Sequence, residues 1–224
     1  MLGIHKGAEP PELRRYREST PAASYAGAPK APVRAALHRD QGGLCAYCMR
    51  RIHDHPTEER QVDLSIEHWS AQSTDGGRDI HWPDLLAVCE GKIDGQLICD
   101  KARGNNPLQV HPVRDALGLE DRCRYLGDGR LEIDRADGDV LTLKLDNPRL
   151  MQNRAQVLNL LLAQSKGADL SRLRDLLAHW EGRSADGLRR EYAGVALYIL
   201  RRAIRAREGR STRTRGARSS PTKA

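Results

Sequence analysis

The chain has no phenylalanine, and its 224 residues hold only three tryptophans and six tyrosines. With so few aromatics and 30% charged residues, a core must rest on Leu, Ile, Val and Ala. No run of about 18 apolar residues occurs, so no membrane span is expected. The opening residues, Met1-Leu2-Gly3-Ile4-His5-Lys6, lack the apolar stretch of a signal peptide, and a cytoplasmic address is the expectation. No internal repeat is visible. Cysteine is scarce, five in all, and in such a compartment paired cysteines more often bind metal than form disulfides.

Charge of one sign is missing from the C-terminal end. Residues 201 to 224 carry nine basic groups against Glu208 alone, so this segment is +8 and the preceding 200 residues sum to −1. The tail can contact phosphates without reading sequence, or simply be solvated. The composition of residues 207–224 predicts a disordered end.

Residues 1–29 read as an extended arm with at most a short helix near Glu12 to Glu18. A helix is predicted over residues 31–41, with Pro32 in its first turn and Gly42-Gly43 ending it. Residues 44–111 hold the cysteines and histidines, broken by turn pairs such as Gly76-Gly77. A hairpin is expected next, pairing residues 130–134 with residues 140–145 around Asp137-Gly138. From Asn147 the periodicity is helical, with Leu150, Val157, Leu160, Leu161 and Leu162 marking a first segment. Leu170, Leu173, Leu176 and Leu177 mark a second, and a third runs from about Leu188 to Ala206.

The chemistry is concentrated in four short stretches. Cys45 and Cys48 have the C-x2-C spacing by which two thiolates grip one tetrahedral ion from a tight turn. Cys89 and Cys99 would have to be brought together by the loop of residues 90–98, and spacing alone leaves them open between ligands and buried thiols. Cys123 is left over. Between the pairs, residues 62–66 read as a strand delivering Glu67 and His68 to its end. A histidine there can deprotonate a water that attacks phosphorus. The adjacent carboxylate can hold a divalent cation, and Asp100 could supply a second carboxylate. The remaining histidines carry less weight. His53 and His55 flank Asp54 in a polar loop, His81 precedes Trp82-Pro83 and packs a loop, and His111-Pro112 ends an extended segment.

These stretches in this order resemble the HNH endonucleases, whose fold is the ββα-metal core. Within them, the chain looks like the HNH subunit of Septu-type and retron-linked anti-phage systems. It is carried by residues 44–52, Ile66-Glu67-His68-Trp69, residues 85–89, and Cys99-Asp100 followed by Arg103-Gly104-Asn105. Residues 143–154 and 191–200 resemble that group's helix entry and last helix. The resemblance implies an α+β protein with these parts: arm 1–29, zinc-stapled nuclease core 30–115, hairpin connector 116–146, helical region 147–206 and basic tail 207–224. It makes Cys89 and Cys99 structural zinc ligands with Cys45 and Cys48. It implies His68 as general base, Glu67 and Asp100 as ligands of a catalytic Mg2+ or Mn2+, Asp84 as the group orienting the base, and Arg103 as a contact to substrate phosphate. It also implies an ATPase partner and a nucleic-acid target, DNA or RNA such as tRNA. The Leu-rich helices and the N-terminal arm are candidate docking surfaces for that partner. Two positions depart from the family. Asp84 stands where an Asn is usual, and Ile98 where a His often precedes the last Cys. An alternative is therefore an eroded zinc module that binds nucleic acid or the ATPase without cutting.

Overall fold

The computed structural model describes residues 1–55, 57, 63–70 and 79–218, and of residues 210–218 only the backbone. The architecture is α+β, with eight helices and three small two-stranded antiparallel sheets among the described residues. Helix α1 (Pro11–Ser19) starts on a proline at its first position and carries Glu12 in its first turn, both favourable at a helix N-terminus. Ahead of it the arm is docked. Met1, Leu2 and Ile4 are buried, and the Ile4 N–H donates to the Pro112 carbonyl at 2.9 Å. These residues are committed to the chain's own core, which argues against the first part of the arm as a surface for a partner.

Helix α2 (Lys30–Gln41) forms where it was expected and stops at Gly42, whose φ of 62° lets the chain turn off in the left-handed region. Its buried face is Val33, Ala36, Leu37 and Gln41, and it packs on the strand that precedes Cys89. Gln41 behaves as a strand substitute there. Its amide donates to the carbonyls of Leu44 and Ala87 and accepts from the Ala87 N–H, all at 2.8 Å.

Strand β1 (Ser65–His68) pairs antiparallel with β2 (Leu85–Val88), with Glu67 opposite Leu86 and His68 opposite Leu85. The expected strand start at Val62 and the turn at Gly76-Gly77 lie outside the described residues. Between Cys89 and Cys99 the chain makes a miniature hairpin, β3 (Lys92–Ile93) with β4 (Gln96–Leu97). Its turn is Asp94-Gly95, both at positive φ (48° and 76°), the geometry that suits a two-residue antiparallel connection. An Ile98 N–H bond to the Gly91 carbonyl closes the base at 2.9 Å. Helix α3 (Cys99–Arg103) follows at once, and α4 (Leu119–Arg122) leads into the third sheet.

That sheet corrects the expected hairpin. Strand β6 (Leu131–Ile133) pairs with β5 (Cys123–Tyr125), not with residues 140–145. Residues 137–142 are helix α5 (Asp137–Thr142). A strand would have put Leu141, Leu143 and Leu145 on one face, whereas Val140 and Leu143 are buried three apart and Leu141 is 58% exposed. Asp139 decides the matter from within, because its buried carboxylate accepts the N–H groups of Gln109 and Val110.

The C-terminal third is helical as expected. Helix α6 (Pro148–Ser165) is capped by Asn147 and α7 (Leu170–Glu181) by Asp169, each side chain accepting a backbone N–H of the first turn. The buried stripe of α6 is Leu150, Arg154, Leu158 and Leu161, and Leu160 and Leu162 face outward. Helix α8 (Ala193–Arg218) packs on α6 and α7. It begins later than Leu188, because Tyr192 takes a φ of 56° to bond Met49, and its backbone stays helical through Arg218. Disorder from residue 207 is therefore not what the backbone shows up to that point, and residues 219–224 lie outside the described part. No helix among the described residues is long and apolar enough to cross a membrane.

Candidate metal centre and carboxylate site

Leu44 and Arg51 form an isolated antiparallel bridge, and the tight turn between them carries Cys45 and Cys48. Met49, directly after Cys48, has a φ of 63°, which bends the chain back so that both sulfurs point inward. The β3–β4 hairpin performs the same task for Cys89 and Cys99, whose separation in sequence had hidden the pairing. All four side chains are buried and their sulfurs lie within 4.8 Å of one another. Cys45 and Cys99 are 3.8 Å apart, Cys48 and Cys89 3.9 Å. Sulfurs on the corners of a tetrahedron with metal–sulfur bonds of about 2.3 Å stand about 3.8 Å apart, so the cluster is compatible with structural zinc. Its protonation points the same way. Burial works to raise the Cys45 thiol, yet sulfur hydrogen bonds from Cys48, Cys89 and Cys99 hold it well below the usual range, while burial pushes Cys48 and Cys99 well above it. Without a cation, four thiolates cannot share one dry site.

Next to the sulfurs lies a second polar cluster. Glu67, on β1, is 6% exposed, and its Oε1 accepts from Tyr47 Oη at 3.2 Å and from the Arg103 guanidinium. Asp100, one residue after Cys99, faces the same carboxyl. Burial, then a hydrogen bond and repulsion from Asp100, push Glu67 up to about 8, with Arg103 pulling it down. Two carboxyls in such proximity, one of them driven toward its neutral form, make a donor set fit for a divalent cation. His68, at the end of β1, is partly exposed and meets the ring of Tyr25 edge-on at 4.4 Å between centroids.

Arg103 is placed differently from expectation. It is 2% exposed, and besides Glu67 its donors go to the carbonyls of His68, Trp69 and Asn106. It is a strut under the end of β1, with no face left for a substrate phosphate.

Asp84 also has other company than the His68 imidazole. Its buried carboxylate accepts from His81 Nδ1 and His111 Nε2, both at 2.9 Å, and from Arg114. Burial alone would raise its pKa, but the bonds from His111 and His81 and the charge of Arg114 bring it below the usual carboxylate value. His111 is fixed as a neutral donor. Its Nδ1 accepts the N–H groups of Val113 and Arg114, so the proton sits on Nε2, and burial keeps the ring from charging. Its ring also lies 4.6 Å from that of Trp69, with Arg114 on the same indole. Lys6 reaches in from the arm to the carbonyls of Trp82 and Leu85, and burial lowers its ammonium to about 7.

The fold thus gathers the four cysteines into one cluster and Glu67, Asp100 and Arg103 into another beside it. Tyr47, His81, His111 and Arg114 were missed as polar-site residues. The i, i+3 spacing of His81 and Asp84 was the one signal available in the sequence. No protein-family model matches the chain, and a search of curated proteins finds no match either.

Proposed function

We propose that the chain is a metal-dependent HNH-type endonuclease that hydrolyses phosphodiester bonds in nucleic acid. The observation that carries this reading is the approach of Asp100, from α3, to the buried carboxyl of Glu67 on β1, with His68 next in the strand. His68 would take the proton of the attacking water, and Glu67 and Asp100 would hold Mg2+ or Mn2+. The cation's contribution when bound is to offset charge on the phosphoryl and leaving oxygens. Tyr47 and Arg103 keep Glu67 in place, and the cysteine cluster keeps Asp100 in place. The resemblance extends the proposal to an effector of an anti-phage complex, with an ATPase partner and DNA or tRNA as target.

One observation favours an eroded, non-cutting zinc module instead. Arg103 already neutralises Glu67 from inside, and Ile98, where relatives often carry His, is fully buried. The test is cleavage of labelled duplex DNA and total tRNA by the chain co-purified with its genomic-neighbour ATPase in Mg2+ or Mn2+. Cleavage that His68→Ala abolishes supports the nuclease. Absent cleavage by a zinc-loaded complex supports the module.

A further inference from the structure

His81 is held in an unusual way for an exposed residue. Its side chain is 48% exposed, yet its Nδ1 is tied to a carboxylate whose own side chain is 7% exposed. Asp84 cannot follow the ring, because His111 and Arg114 grip Oδ1. The carboxylate is ionised, so Nδ1 donates to it, and the ring presents Nε2 outward with no partner among the described residues. A purely structural role for Asp84 accounts for His111 and Arg114, which staple residues 111–114 to the turn before β2. It does not call for an imidazole aimed at solvent.

The turn that carries His81 and Asp84 leads straight into the strand paired with that of His68. Asp84 and Leu85 lie across the ladder from Trp69 and His68, the Trp69 N–H donating to the Asp84 carbonyl at 2.9 Å. Tyr25 bridges the same edge, with its ring on His68 and its N–H on the Asp79 carboxylate at 2.8 Å.

We infer that His81 is the proton donor to the leaving oxygen, with Asp84 as its positioning residue, an inference that rests on the phosphodiesterase reading above. The step balances. Water adds to phosphorus and gives its proton to His68, the bond from phosphorus to the leaving oxygen breaks, and that oxygen takes the Nε2 proton of a doubly protonated His81. The products are a phosphate monoester and an alcohol. His81 is left neutral, keeping its Nδ1–H and donating it to the Asp84 carboxylate, and proton exchange with water resets both rings.

The test compares two substrates on the zinc-loaded chain co-purified with the same ATPase, in Mn2+: whichever nucleic acid the wild type cuts, and bis(p-nitrophenyl) phosphate, whose p-nitrophenolate leaves without a proton. His81→Ala and His81→Gln should lower kcat on nucleic acid about 100-fold or more, with KM unchanged. Both should hydrolyse the aryl ester at the wild-type rate, whereas His68→Ala loses both activities. An unchanged rate on nucleic acid, or an equal loss on both substrates, overturns the assignment and leaves the nuclease reading standing. A wild type inert on both substrates, and intact by circular dichroism and zinc content, overturns the two together.

Discussion

The Arg103 guanidinium donates to the Glu67 carboxyl inside the protein, with side chains 2% and 7% exposed. Arg103 is also the tie that holds the end of β1, through the carbonyls of His68 and Trp69. Removing one partner of a buried pair costs about 3–5 kcal/mol, because the other is left uncompensated. Arg103→Ala should lose about that much in urea unfolding. Glu67→Gln should lose clearly less, since the guanidinium keeps its three carbonyl acceptors. Equal losses would show that the strut contributes nothing beyond its charge.

The raised Glu67 carboxyl sets a pH dependence. Its folded value of about 8 lies above the ordinary carboxyl value of 4.5, so between the two the folded state holds a proton that the unfolded chain has released. Stability from this group is full below pH 4.5 and declines as pH rises to about 8. Denaturation midpoints in cation-free buffer should fall over that window, and Glu67→Gln should remove the decline. Added Mn2+ should flatten the wild-type curve, because it takes the proton's place.

Removing zinc should unfold more than the site. The cluster joins the turn at 45–48 to both ends of the β3–β4 hairpin, so chelation releases the segments that border β1 and β2. Elemental analysis should give one zinc per chain in the wild type. Cys48→Ser or Cys89→Ser should lower both the content and the thermal midpoint, and Cys123→Ser should leave zinc content unchanged.

Gln41 makes a separate prediction. Its amide satisfies two carbonyls and one N–H of buried backbone, and each buried polar group left unpaired costs about 1–3 kcal/mol. Gln41→Ala should destabilise by at least about 2 kcal/mol by chemical denaturation. Gln41→Glu should fail to rescue, because a carboxylate cannot donate to Leu44 and Ala87.

What could be read from the sequence was what lies close together in it. The C-x2-C turn, the Pro32 to Gly42 helix and the helical pattern from Asn147 are local signals, and each formed. Cys89 and Cys99 meet because of Asp94-Gly95, a turn that spacing rules do not describe. Residues 140–145 alternate as a strand would, yet the same residues put Val140 and Leu143 on one helical face. Tertiary bonds to Asp139 choose between the two. The partners of Asp84 come from residues 111–114, some 27 to 30 positions away, and no short-range pattern announces them. Arg103 was legible as a cation, but burial under β1 was not.

Cys99 and Asp100 are consecutive, so two free backbone torsions separate the Cα that carries a sulfur of the cluster from the Cα that carries a carboxyl of the polar site. The position of that carboxyl is therefore tied to the cysteine cluster, and with zinc bound it would be inherited from a coordination shell. Loosely packed helices can drift by fractions of an ångström without harm; α3 has no such latitude, because its first residue is one corner of a tetrahedron. Insertions are tolerable in the β3–β4 hairpin, where extra residues only lengthen the loop. A single residue inserted between Cys99 and Asp100 would leave the sulfurs in place and turn the carboxyl away from Glu67.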